Sequence, residues 1–312
     1  MQLISIIFSF RNEEKNLDEL IERVTKTLNK LNNYKYELIF VNDDSTDNSE
    51  KILIEYQKKY PIIIINMSRK FGRTQCMLAG LNNANGDCAI CIDSDLQDPP
   101  ELIEKMVNEY EKGFDVVHTV RKKRLGEPWH KILLTSLAYK IINSLSNINL
   151  PAESGDYKLI SKRALKKILE QSEHRPYLRG LLVWVGFKQT FIEYVREGRK
   201  SGKSKFPVFS EGPITEFISG VTGHSLRPLY LGIVLGFFSI CLSLILIIYA
   251  LYLKFSNLSV PGTAGIIIVT SFFSGIILLF LGIIGIYLSK IFEQTQGRDR
   301  YIIREIKKKV KN

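Results

Sequence analysis

The chain begins as an alternation of short apolar runs with stretches whose apolar residues recur every three or four positions. Residues 3–9 (LISIIFS) form a continuous apolar run, suited to a strand buried on both faces. Asn12 then stands where it can cap a helix, and Leu17, Leu20, Ile21, Val24, Leu28 and Leu31 repeat at helical spacing. A second strand is expected at 36–41, broken by Asn42-Asp43-Asp44-Ser45, and Ser45 or Asp47 opens the next helix. The same reading places strands at 62–66, 87–92 and 115–120, with helices at 72–83 and 100–112 between them. Alternating strands and helices predict a mostly parallel sheet covered on both faces, with ligands at the carboxyl ends of the strands.

Beyond Arg121 the alternation fades. Residues 129–145 read as a helix with Ile132, Leu133, Leu137, Ile141 and Leu145 along one side and basic groups around it. Such a helix lies on a membrane surface or faces a core; 214–222 invites the same two readings. Residues 187–196 look like a strand, followed by a basic loop, EGRKSGKSK, at 197–205. Residues 229–253 and 262–289 are then apolar and without charge. Each exceeds the roughly 20 residues that cross a bilayer as a helix, and neither shows a polar face.

Charge sharpens this picture. The 312 residues carry a formal net charge of +11, much of it beside the apolar segments. Arg227 precedes the first, while Lys290, Arg298, Arg300, Arg304, Lys307, Lys308, Lys309 and Lys311 follow the second; the connection holds only Lys254. The positive-inside rule puts both termini and the preceding domain in the cytoplasm. Three parts are expected: a domain over 1–226 with membrane-surface helices near 129–145 and 214–222, a two-helix membrane region over 227–290, and a basic tail over 291–312. Anionic head groups account for the basic balance better than nucleic acid, for which no motif is present. The N-terminal apolar run leads into Arg11-Asn12-Glu13-Glu14 and is not a signal peptide. Cys88 and Cys91 form a lone C-x-x-C inside an apolar run, so reduced structural thiols are expected rather than zinc.

The candidate chemistry lies in residues 88–100, CAICIDSDLQDPP. Asp93, Asp95 and Asp98 crowd six positions and repel one another unless a cation intervenes. A hard divalent ion bridging carboxylates and a diphosphate suits Asp-x-Asp at a strand end. A plainer reading makes the stretch an acidic turn, with Asp98 capping a helix that starts at Pro99 or Pro100. Polar clusters also follow the other strands: Arg11-Asn12-Glu13, Asn42-Asp43-Asp44 and Arg121. Four clusters converging on one sheet edge favour a nucleoside-diphosphate site.

With these residues in view the chain resembles the polyprenyl-phosphate glycosyltransferases of family 2. Residues 10–14 (FRNEE) match that family's Y-N-E-E opening, 40–49 (FVNDDSTDNS) its V-[DN]-D-G-S-x-D stretch, and 68–72 (SRKFG) its S-R-x-F-G. Residues 93–100 (DSDLQDPP) match its metal motif. Gly155-Asp156-Tyr157, Arg179-Gly180 with Trp184-Val185-Gly186-Phe187, and Gly202–Lys205 (GKSK) follow in the family's order, as do Val260-Pro261-Gly262 and GIIGIYL at 282–288. Ser9, Phe10 and Asp44 depart from the family's proline, tyrosine and glycine, and Ala152-Glu153-Ser154 stands where an asparagine is frequent.

The resemblance implies a GT-A type, Rossmann-like α/β domain followed by two transmembrane helices in a bacterial inner membrane. It implies inverting transfer of one sugar from a nucleotide-sugar, UDP-glucose or another UDP-hexose, to polyprenyl (undecaprenyl) phosphate. Asp43 would contact the base, Phe10 and Glu13 would frame the nucleoside, and Lys70, Asp93 and Ser94 would complete the nucleotide site. Asp93, Asp95 and Gln97 would hold Mg2+ or Mn2+, with Asp95 and Asp156 as the catalytic carboxylates. Arg121, Lys131, Arg199, Ser204 and Lys205 would bind the lipid phosphate or cover the diphosphate. Association through the spans into a homo-oligomer is also expected. A processive polysaccharide synthase shares this kind of domain, but its Q-x-x-R-W motif and additional spans are missing here. A non-catalytic sugar-nucleotide-binding protein anchored in the membrane is the other alternative.

Overall fold

Five strands alternate with helices in the order that the apolar runs predict. In the computed structural model, which describes residues 1–124, 129–146, 149–151, 153–196, 211–256 and 262–308, these are β1 (Gln2–Phe10), α1 (Leu17–Leu28), β2 (Tyr34–Asn42), α2 (Ser49–Gln57), β3 (Ile62–Met67), α3 (Arg73–Asn82), β4 (Cys88–Asp93), α4 (Leu102–Glu111) and β5 (Val116–Arg124). Then come α5 (Trp129–Leu145), β6 (Ser154–Ser161), α6 (Lys162–Leu169), α7 (Leu178–Trp184), β7 (Gln189–Arg196) and α8 (Glu211–Gly223). The long helices α9 (Arg227–Phe255) and α10 (Thr263–Thr295) and a last strand, β8 (Ile303–Lys308), complete the described chain.

All eight strands form one sheet in the order β7-β5-β6-β4-β1-β2-β3-β8. The β1–β2, β1–β4, β2–β3 and β5–β7 pairs are parallel; β6 is antiparallel to β4 and β5, and β8 is antiparallel to β3. One face packs Ile4, Ile6, Phe8, Phe40 and Ile90 against α1 and α4. The other packs Ile7, Ile39, Ile65, Cys91 and Ile160 beneath α3 and α6. Both faces are covered, so the central strands are apolar throughout rather than alternating. Cys88 and Cys91 are buried and unpaired in this core, and burial pushes each thiol up to about 12.

Three expectations are corrected. The residues after the apolar hairpin are not simply a basic tail, because Ile303–Lys308 covers the outer edge of β3. Lys307 Nζ meets Glu50 Oε1 at 2.8 Å, and Asn66 donates to Glu50 at 2.6 Å and Glu305 at 2.9 Å, so charged side chains secure that edge. Asn12 does not cap α1, which starts after Asn16; its side chain accepts from the Thr46 backbone N–H at 2.8 Å and sews the loop after β1 to the loop after β2. Asp98 does not cap α4 either: no side chain caps that helix, and the buried Asp98 carboxylate accepts from Tyr194 and Arg196.

Helices α9 and α10 contain stretches of 27 and 28 residues long and apolar enough to span a membrane. At about 1.5 Å per residue each is about 40 Å long, more than the hydrocarbon layer. The two are in close contact at Gly232, where a Cβ would lie 2.3 Å from the Phe280 ring. On the domain side, α5, α7 and α8 enclose a small apolar cluster of Ile142, Leu150, Tyr177 and Val221. Leu133, Leu137 and Ile214 face outward from α5 and α8.

Candidate active site at the carboxyl edge of the sheet

An antiparallel strand assembles the site. Because β6 runs against β4, its first residues lie where β1, β2 and β4 end, and Cys91 is opposite Lys158. Two residues toward that edge, Asp93 and Asp156 are joined by Arg73, the first residue of α3. Arg73 Nη2 donates to Asp93 Oδ2 at 2.7 Å and Nη1 reaches Asp156 Oδ2 at 2.7 Å. Arg179 of α7 grips the far side of Asp156 as a fork, Nε to Oδ1 and Nη2 to Oδ2, both at 2.7 Å. Arg179 Nη1 also lies 3.3 Å from the Tyr139 hydroxyl of α5 and from Glu216 Oε2 of α8. Alternating charges thus run from the sheet edge to the helix that precedes the apolar hairpin.

Burial alone would raise Asp156, but Arg179 and then Arg73 outweigh it and hold the carboxyl well below its usual range. Asp93 behaves oppositely. Burial pushes it up to about 6 despite Arg73, and the neighbouring Asp95 adds repulsion. Behind them Lys158 is buried with no partner on Nζ, and burial lowers its amine to about 7 against the pull of Asp156.

The turn after β4 is shaped for this edge. Leu96 has φ +59°, a left-handed conformation uncommon for a residue with a side chain. Its side chain is buried, while Asp95 and Gln97 on either side stay partly exposed, and the Gln97 N–H donates to Asp95 Oδ1 at 3.2 Å. Ser94 is turned away, donating to the Ser9 carbonyl at 3.0 Å and fastening β4 to β1. Among the described residues no three His, Cys, Asp or Glu side chains are arranged to hold a metal ion. Asp93 and Asp95 still fit a hard divalent cation of the kind bound by one or two carboxylates plus phosphate oxygens of a substrate.

The remaining predicted residues divide. Asp43 is at the same edge, but its carboxylate holds a loop, accepting from the Phe71 N–H at 2.7 Å and the Gly72 N–H at 3.1 Å. Asp44 takes φ +58°, the backbone state that the family's glycine favours and that aspartate tolerates better than most residues. Phe10 is in the core, edge-on to Phe40, and only its carbonyl meets Asp43, through that residue's N–H at 3.0 Å. Glu13 accepts from Asn16 Nδ2 at 2.5 Å, and Lys70 is exposed on the loop that Asp43 organises. Arg121 joins a second cluster, where its Nε donates to the Tyr194 hydroxyl at 3.2 Å. Tyr194 in turn donates to Asp98, which also takes Arg196 Nε at 3.2 Å. Gly155 makes room for this arrangement, since a Cβ there would be 2.7 Å from Arg121 Nη2. Lys131 lies in the first turn of α5. Arg199, Ser204 and Lys205 lie outside the described residues.

Sequence reasoning missed Arg73, and it gave Arg179, Lys158 and Glu216 no role. A depression of about 800 Å³ lies at the opposite sheet edge, lined by Gln2, Tyr34, Asp115 and Arg163. Asp115 and Arg163 there pair with each other, Arg163 Nε on Asp115 Oδ1 at 2.5 Å. The Asp-x-Asp turn and Asp156 are at the other edge.

A doubly covered α/β sheet with Asp-x-Asp at the end of a central strand, and a second acidic strand end beside it, defines a GT-A glycosyltransferase. A family model, glycosyl transferase family 2, matches residues 5–169. The chain is 36% identical over 303 residues to an uncharacterized glycosyltransferase, YkcC, of Bacillus subtilis, covering 96% of this chain and 93% of that one. It is 30% identical over 309 residues to the bactoprenol glucosyl transferase of Shigella phage SfV, covering 98% and 99%. The crystal structure of glucosyl-3-phosphoglycerate synthase from Mycobacterium tuberculosis with Mn2+, UDP and phosphoglyceric acid shares the fold at 16% identity. Its TM-score is 0.50, over 71% of this chain and 79% of that one. The protein belongs to glycosyl transferase family 2 and is a glycosyltransferase.

Proposed function

We propose that this enzyme transfers one sugar from a nucleotide-sugar to a polyprenyl phosphate at the cytoplasmic face of a bacterial membrane, with inversion at the anomeric carbon. The observation that carries the reading is the line of contacts from Asp93 through Arg73, Asp156 and Arg179 to Glu216. It joins a donor-type strand edge to α8, which leads directly into α9. Likeness to a bactoprenol glucosyl transferase along nearly the whole of both chains supports the lipid acceptor and glucose as the sugar. UDP-glucose is the preferred donor.

The residues divide the work by environment. The acceptor is a phosphate monoester, already anionic at neutral pH, so a strong base is not required. Asp156 is held ionised by two guanidinium groups and has no free proton-accepting role; it fixes Arg73 and Arg179 and steadies positive charge on the sugar as the bond to the leaving group lengthens. Asp93 and Asp95 would hold a divalent cation, which when bound offsets charge on the departing nucleoside diphosphate. The outward apolar residues of α5 and α8 lay the domain on the membrane, bringing the acceptor phosphate up to this edge.

The test is transfer of radiolabel from a panel of sugar nucleotides to undecaprenyl phosphate by the purified full-length protein. A single sugar in the chloroform-soluble fraction is expected, lost in Asp95→Ala. A polymer would indicate a processive synthase. Near-wild-type turnover in Asp95→Ala would remove Asp95 from the site.

A further inference from the structure

Arg73 occupies an unusual position for a residue at the start of a helix. One guanidinium spans two carboxylates from neighbouring strands, Asp93 and Asp156, each at 2.7 Å. Its Nε is buried without a partner, and the side chain as a whole remains 28% exposed. The two carboxylates are not equally dependent on it. Asp156 also has the two-pronged grip of Arg179, made through nitrogens independent of Arg73. Asp93 has its one ion pair among the described residues through Arg73.

A carboxylate oxygen that receives a guanidinium N–H at 2.7 Å has that direction filled, and a divalent cation placed beside it would meet a like charge a few ångströms away. Arg73 and a cation therefore compete for Asp93. Release is possible because Arg73 can retain Asp156 through Nη1 while Nη2 lets go, so no guanidinium is stranded. The chain immediately before Arg73 is the loop that Asp43 secures through Phe71 and Gly72, and Gly72 takes φ +99°. Occupation of the nucleoside side of the edge therefore acts on the segment from which Arg73 projects.

We propose that Arg73 is a positioning residue that holds positive charge on Asp93 in the ligand-free enzyme and yields that oxygen when a divalent cation arrives with a nucleoside diphosphate. The inference rests on the donor-site reading above. It makes cation binding alone weak and cation binding with the diphosphate strong, so that the edge is not loaded before the donor is present. Arg73 then remains on Asp156, where it faces the diphosphate as a fixed cation.

The experiment is calorimetric titration of Mn2+ into full-length detergent-solubilised protein at pH 8, without and with saturating UDP, for the wild type, Arg73→Gln, Arg73→Lys and Asp93→Asn. Loss of one charge-assisted competitor should tighten Mn2+ binding without UDP by on the order of tenfold in Arg73→Gln. Arg73→Lys, which keeps the charge but cannot span both carboxylates, should fall between Arg73→Gln and the wild type. The stimulation of Mn2+ binding by UDP should shrink in both. A residue that merely shaped the site would weaken the affinity when replaced. Equal or weaker Mn2+ binding in Arg73→Gln, with binding lost in Asp93→Asn, would overturn the role of Arg73 and leave the donor site standing. Should Arg73→Gln fail to fold, Arg73→Lys decides by the same criterion. Absence of Mn2+ binding in every protein, with or without UDP, would overturn both.

Discussion

Replacing Asp156 by asparagine tests whether this carboxylate is a structural anchor of the site or a proton acceptor. The change keeps the shape of the side chain but removes the charge from three contacts of 2.7 Å and turns one acceptor into an N–H donor facing a guanidinium. Breaking one partner of a buried ion pair costs about 3–5 kcal/mol, mostly because the other charge stays buried. Arg73 retains Asp93 and Arg179 retains the half-exposed Glu216, which places the expected loss at the lower end, about 3 kcal/mol. For a domain of this size that is a fall in Tm of about 6–12 °C. Arg179→Met added to Asp156→Asn removes a stranded cation, so the double variant should recover part of the loss. The pH dependence has a fixed sign. The carboxyl is held below its ordinary value of 3.8, so its contribution is complete above that pH and is lost as pH falls through the folded value. The gap between wild type and variant should therefore be constant from pH 5 to 8 and close only in acid. UDP binding should survive below the melting transition, because Asp43 holds its loop without contacting Asp156. The assay is thermal unfolding of the solubilised protein across pH, beside UDP titration. A Tm within about 2 °C of wild type would show that the three contacts stabilise little and would refute the anchoring role of Asp156.

Two further outcomes follow from the same arrangement of charges. Burial first, and Lys158 second, lower His118 to about 3; its Nε2 is 2.7 Å from Gln189 Oε1 and its ring stacks on Phe191. Its folded value lies below the unfolded 6.5, so the stability it contributes is present above pH 6.5 and is lost as pH falls toward 3. His118→Phe should flatten that limb of a denaturation series between pH 7 and 4 by up to about 1.4 kcal/mol per pH unit, and an unchanged slope would refute it. Ending the chain at Ile302 removes β8 and bares the edge of β3. Tm should fall by about 4–8 °C, with aggregation on warming, and an unaltered melting curve would show that β8 contributes no stability.

The fold was legible where burial on both sides makes a strand uniformly apolar. β1 to β5 are such runs or end in polar clusters, and a period of three to four marks α1. β6 was not legible. Its sequence, SGDYKLIS, places Asp156 and Lys158 within a central strand, and Lys158 is buried without a partner. Pattern reading rejects a strand there for the reason that makes it useful, since its polar residues serve the site edge. β8 was hidden differently: four of its six residues are charged, and only its pairing to β3 distinguishes it from a solvated tail. Asp93 and Asp95 were readable because two carboxylates at a strand end are a local signal. Arg73 carried none. It follows a glycine at the start of a helix, and its partners are 20 and 83 positions away on strands whose order is not written locally.

The chain of charges between the sheet and α8 need not be what holds that helix in place. Glu216 is 49% exposed and 3.3 Å from Arg179, and a pair of that kind contributes about 0–1 kcal/mol. Val221 is buried against Ile142 and Tyr177, with Phe217 packed beside them, and burying one such side chain stabilises by about 1.5–3 kcal/mol. Apolar packing therefore seats α8, while the Arg179–Glu216 contact can open at small cost. Asp156 is insulated from that opening because Arg179 grips it through two other nitrogens at 2.7 Å. On the proposed function, a lipid phosphate reaching this edge would compete for Arg179 only with Glu216 and leave the grip on Asp156 in place. The strong end of the chain lies in the sheet and the weak end faces the apolar helices, which is the order that an acceptor delivered from the membrane requires.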